Sequence, residues 1–254
     1  MKTRKTMPAS SSDRRDALAV SVPTAWRELT EAQLLYAIGL LASGVPAERA
    51  QVYAFLRFAG LGIVKADADT LLLRRGGDLC RIARRDLLLG AMSLDFMQEP
   101  PDVPQRPAEW QGRKAVDAQM HGVPFGNYLQ IENYMQRYIA QPDDALLRPM
   151  AALLYPGLSP KNVPPLLRYA MLHWLTGLKL FFARAFPDLY RPVKADAEEP
   201  ADLRGAMLAQ VRALTAGDVT KEQTVLNVDT WTALDELNAK AREARELEKI
   251  YKKH

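Results

Sequence analysis

Between Pro164 and Phe186 the chain is apolar around almost the whole circumference of a helix. Pro164-Pro165 opens the stretch, and Tyr169, Leu172, Trp174, Leu175, Leu178, Phe181 and Phe182 leave little of it polar. Such a helix has to lie at the centre of a bundle, because no single neighbour can cover all its faces. It is not a membrane span, since Ala170 to Phe186 includes His173, Lys179 and Arg184, charges that a bilayer core excludes. With 254 residues, 48% of them apolar, the chain is long enough to supply the surrounding helices itself.

Those helices can be marked off by their caps and stops. Thr30-Glu31-Ala32-Gln33 has the spacing of a capping box, followed by Leu34, Leu35, Ile38, Leu41 and Ala42 at helical intervals and a stop at Ser43-Gly44-Val45-Pro46. A second helix is predicted from Ala47 to Phe58, with Val52, Phe55, Leu56 and Ala59 inward. Leu71 to Ile82 reads as two strands around Gly76-Gly77, a β-hairpin over about 70–83, and Arg84 to Gln98 as helix again. Pro100, Pro101, Pro104 and Pro107 forbid regular structure in the next stretch. It is either a boundary or a strap over the surface. Trp110 to Pro124 is a short strand or irregular. Helices follow over 125–140, 143–154, 164–186, 201–215 and from Asp229 almost to the terminus.

The predicted fold is therefore mainly α, an irregular bundle of about eight helices with one hairpin. Its parts are a disordered basic tail (1–22), an N-terminal helical region with the hairpin (23–99), a Pro-rich connection (100–124) and a C-terminal helical region (125–254).

Charge says little about a partner once it is located. Lys2, Arg4, Lys5, Arg14 and Arg15 against Asp13 and Asp16 put +3 of the net +4 in the first 22 residues. That tail has no aromatic residue to stack on bases. Pro-Ala-Ser-Ser-Ser-Asp follows its basic start where a signal peptide needs an apolar block, so the expected location is the cytoplasm. The first helix pair has the length of a helix-turn-helix. Its second helix offers Glu48, Arg49, Gln51 and Arg57 outward among many apolar residues, a poor reading head for base edges.

Groups for catalysis are sparse. His121, His173 and His254 are the three histidines, none within metal-ligand spacing of another, and Cys80 is the single cysteine. Gly60-Leu61-Gly62 lacks the third glycine and the context of a phosphate loop, and Asp67-Ala68-Asp69 has no EF-hand continuation. Asp143/Asp144 and Glu198/Glu199 are sequence neighbours, which point apart on a helix. The expectation is a protein that is not an enzyme, with no catalytic residue, metal or cofactor.

The last helix carries the most information. Trp231, Leu234, Leu237, Ala241, Ala244, Leu247 and Ile250/Tyr251 step by three or four and form an apolar stripe, with six basic and six acidic residues between Asp229 and His254 on the rest. Either the helix docks on its own domain through Trp231, or its distal half projects and engages a partner. Trp231, Leu234, Leu237, Leu247, Ile250 and Tyr251 are the candidate partner-binding residues.

Four segments resemble a group of bacterial prophage proteins encoded near tail-morphogenesis genes, some of which act like tail assembly chaperones. They are Pro23-Thr24-Ala25-Trp26-Arg27-Glu28-Leu29-Thr30, Phe125-Gly126-Asn127-Tyr128-Leu129-Gln130-Ile131-Glu132-Asn133-Tyr134, Ala152-Leu153-Leu154-Tyr155-Pro156 and Val225-Leu226-Asn227-Val228-Asp229-Thr230-Trp231. The resemblance implies a helical protein that assists tail assembly by binding a partner helix, on a tape-measure or other tail protein. It transfers no functional residue. The alternative is a nucleic-acid-binding regulator using the basic tail and the first helix pair.

Overall fold

A computed structural model describes residues 4–6, 19–191 and 203–251. The protein is mainly α, 60% helical with nine α-helices among the described residues and a small antiparallel sheet content. The chain divides into two units, Met1–Asp102 and Val103–His254, so the division falls within the Pro-rich stretch.

In the first unit, β1 (Arg4–Thr6) pairs antiparallel with β2 (Ala19–Ser21). Val20 and Val22 are buried. This corrects part of the expected disordered tail: Ala19-Val20-Ser21-Val22 alternates with the period of a strand, and its valines enter the core. The rest of that tail, residues 1–3 and 7–18, lies outside the described residues.

α1 (Glu31–Ala42) starts at the predicted capping box, Thr30 and Gln33 satisfying each other's backbone N–H groups. α2 (Ala47–Phe58) follows. Its Gln51 is buried and donates to the Asp95 carboxylate at 3.0 Å, where the sequence reading had it outward. Glu48, Arg49, Tyr53 and Arg57 occupy the exposed face instead.

The hairpin is present as β4 (Thr70–Arg75) and β5 (Asp78–Ala83), with Gly76 in the left-handed region at φ 58°. It belongs to a three-stranded meander with β3 (Gly62–Ala66) as its other edge. The helix expected over 84–98 is α3 (Arg84–Ala91) continued by 3-10 turns over Met92–Gln98. Ala91, Leu94 and Met97 are all buried, and three residues per turn puts them in one line. Trp26 closes this core, its indole donating to the Glu99 carbonyl at 3.0 Å and meeting Phe96 edge-on at 5.3 Å.

The second unit begins with the strap. β6 (Glu109–Trp110) and β7 (Arg113–Lys114) form a minimal hairpin through Gln111 and Gly112, both at positive φ, the backbone that a two-residue turn demands. The strap is tied down: Tyr155 donates to the Pro107 carbonyl at 3.0 Å, and Val116 N–H to Leu154 at 2.9 Å.

α4 (Phe125–Ala140), α5 (Asp144–Leu154), α6 (Pro165–Ala185), α7 (Leu203–Thr215), α8 (Glu222–Leu226) and α9 (Thr230–Tyr251) then build one core. α6 is the long apolar helix, and Leu167, Met171, Trp174, Leu175, Leu178 and Phe182 are buried. Its cover is incomplete, because Tyr169 and Leu180 are 45% and 40% exposed. The predicted start of α7 at 201, part of the Pro-rich acidic loop and the residues after Tyr251 fall outside the described residues.

Candidate partner-binding surface

α9 is held by its first half. Asp229 is its N-cap, one carboxylate oxygen accepting from the backbone of Trp231 at 2.9 Å while the other accepts from Gly122 N–H at 2.6 Å. Thr230, fully buried, donates both its N–H and its hydroxyl to the Val123 carbonyl. Trp231 donates to the Gln119 carbonyl at 2.7 Å, stacks on the His121 ring at 4.5 Å and meets Phe181, Phe182 and Phe186 with its edges and faces. One carboxylate and one indole thus fix both the helix start and the 117–124 loop. That loop carries strain, since Met120 sits at φ 67° with its side chain completely buried.

Further along, the Asn238 amide oxygen accepts from Asp188 and Leu189 N–H at 2.9 and 3.0 Å, and Arg245 pairs with the Asp188 carboxylate. Beyond Arg245 every described residue is exposed, 246 through 251.

The six candidate residues therefore divide. Leu234 and Leu237 are buried in the unit's own core, and Trp231 is half-buried against it. Leu247, Ile250 and Tyr251 are 55%, 55% and 78% exposed. Nor do the two sets share one stripe. At about 100° per residue, Leu247 lies roughly 80° around the helix from Leu237 and Ile250 roughly 140°, while Tyr251 returns to within roughly 40°. Steps of three and four that look continuous in the sequence drift in azimuth, so Leu247 and Ile250 turn away from the docked stripe and are uncovered, as is Tyr251 near its line.

His173, Cys80 and His121 sit on different elements. His173 is half-buried on α6, and burial pushes its imidazole down to about 4. The Cys80 thiol lies on β5 and is raised by burial, which favours the thiol over the thiolate. His121 lies in a cleft of about 310 Å³ with Asp117, Asn127, Leu153 and Pro156, but one Asp117 oxygen is committed to the backbone N–H groups of Gln119 and His121. Tyr128 and Tyr190 share a 2.7 Å hydrogen bond and are held protonated by burial. Among the described residues no three His, Cys, Asp or Glu side chains gather as a metal site, and no helix is long and apolar enough to cross a membrane.

A pH prediction follows from His173. Its folded value, about 4, lies below the ordinary 6.5, so between these values the unfolded chain binds the proton and the folded one does not. Stability is then complete above pH 6.5 and falls as pH drops towards 4. At pH 4.5 the wild type is expected to lose about 2 kcal/mol more, relative to pH 7, than His173→Gln does, read by urea unfolding. Parallel pH curves for the two would refute it.

Geometry thus defines the class, a two-unit, mainly α protein with an anchored terminal helix and uncovered apolar side chains on its distal half. No protein-family model, curated protein or solved structure matches this chain.

Proposed function

We propose that the protein is a non-enzymatic helix-binding protein that assists assembly of a phage or prophage tail, holding a partner helix on the distal half of α9. The observation that carries this reading is the second set of apolar side chains: Leu247, Ile250 and Tyr251 are each more than half exposed on the distal half of α9. Large apolar side chains spaced by three and four on an exposed helix suit helix-in-groove or helix-on-helix docking.

The tail context rests on the resemblance, and two of its four segments meet in this fold. Phe125–Tyr134 and Val225–Trp231 meet at the anchorage of α9. Phe125 N–H donates to Val228 at 2.8 Å, and a Cβ on Gly126 would lie 3.2 Å from the Leu226 carbonyl oxygen. These segments fix the helix start, and the uncovered set follows from it.

Co-expression with the tail proteins encoded by neighbouring genes tests the proposal. Wild-type protein is expected to retain one of them, the tape-measure protein foremost, and to raise its soluble fraction. Leu247→Glu combined with Ile250→Glu should cut retention about a hundredfold, two apolar contacts at roughly 1.4 kcal/mol each, with circular dichroism unchanged. Equal retention by the variant, or none by the wild type, would end the proposal.

A further inference from the structure

The near-neutral charge of the first unit conceals a segregation. Residues 62–85 hold six basic and three acidic side chains, while 86–102 hold four acidic and no basic ones. Strand register shows where the cations point. Leu71 and Leu73 of β4 are buried, so Thr70, Leu72 and Arg74 occupy the outward face. Lys65 of β3 and Arg81 of β5 both pair with Leu72, and Leu79 pairs with Arg74. Lys65, Arg74 and Arg81 therefore share the outward face, with Arg74 and Arg81 diagonal neighbours about 7 Å apart.

Of Asp67 and Asp78, only Asp67 reaches it, through Lys65 and the charge of Arg81. Asp78 sits opposite Arg75, on the other parity, and Asp67 in the β3–β4 turn pairs with Lys65 at 3.0 Å. Arg74 and Arg81 make no ion pair among the described residues, and the hairpin tip from Arg74 to Leu79 is exposed throughout.

We infer that the outward face of the β3–β4–β5 sheet is a docking surface for the phosphate backbone of duplex nucleic acid. A two-stranded ribbon has the width that a major groove admits, and planar guanidinium groups grip phosphate through two parallel bonds. The face carries no aromatic side chain, which turns it away from single strands, where stacking supplies the affinity. An acidic extended peptide added to β3 is disfavoured, because the strand is bulged between Ile63 and Lys65, and bulges and edge lysines block strand addition. The inference uses none of the residues invoked on α9 and stands or falls independently of the partner-helix reading.

The experiment is fluorescence anisotropy of a mixed-sequence duplex of about 20 bp with the full-length protein, between about 50 and 200 mM salt. Two to three phosphate contacts give a log–log slope near −1.8 to −2.7, so affinity should fall about 12- to 40-fold over that range. Arg74→Gln with Arg81→Gln, both exposed and compatible with folding, should remove about 1.8 units of slope, and the double Lys variant should keep it. Lys2→Gln with Lys5→Gln in the tail should leave the part due to the sheet in place. The inference is overturned if the wild type does not bind at 50 mM, if the slope survives the Arg-to-Gln variant, or if polyglutamate of matched charge displaces the duplex equally well.

Discussion

Trp174→Ala is expected to destabilise the second unit by about 4 kcal/mol, the typical cost of emptying a Trp-sized core site. The indole is fully buried, packs edge-to-face on Tyr155 at 6.4 Å, and donates to the Ala118 carbonyl at 2.8 Å. The Arg106 guanidinium lies over the ring at 5.5 Å, so truncation also removes a cation–π contact of up to about 1 kcal/mol. Trp174→Phe refills part of the cavity and should recover roughly half the loss. Urea unfolding followed by far-ultraviolet circular dichroism measures both. A loss below about 1 kcal/mol for the alanine variant would mean that the α6 core is not packed around this ring.

Asp229→Ala comes next, at about 2–3 kcal/mol. An N-cap contributes about 1 kcal/mol, and a hydrogen bond to a charged acceptor about 1.5–3. Here one carboxylate does both, capping α9 and receiving Gly122 N–H at 2.6 Å. Asp229→Asn keeps a capping oxygen but loses the charge, so an intermediate loss is expected. The loop is the more informative readout: hydrogen exchange at Gly122 should rise well before exchange within α6. Uniform exchange across the unit would refute the idea that Asp229 closes this loop specifically.

Much of this architecture is legible in the residues because its signals are local. Thr30 and Gln33 announce α1, Pro164-Pro165 and an apolar circumference announce α6, and Gly76-Gly77 announces the hairpin. β3 escapes such reading because all five of its residues are exposed and no buried–exposed alternation marks it. α8 is five residues long, shorter than the period needed to show a face. Asp229 meets Gly122 across 107 residues, a pairing that no spacing rule foretells. The candidate partner surface is half legible: the sequence marks Leu247, Ile250 and Tyr251 as apolar, but only the anchoring of α9 by Trp231, Asn238 and Arg245 separates them from Leu234 and Leu237.

The offset of Leu247 and Ile250 from the docked stripe of α9 has a mechanical consequence. Leu247 sits about 15 Å along the axis from Leu237, on the same unbroken rod whose base is clamped. On the partner-helix proposal, a visiting helix would take that flank without prising anything from the body, so that capture and release would leave the host's own packing undisturbed. The proposed role would then be a handle gripped and let go many times by the same molecule.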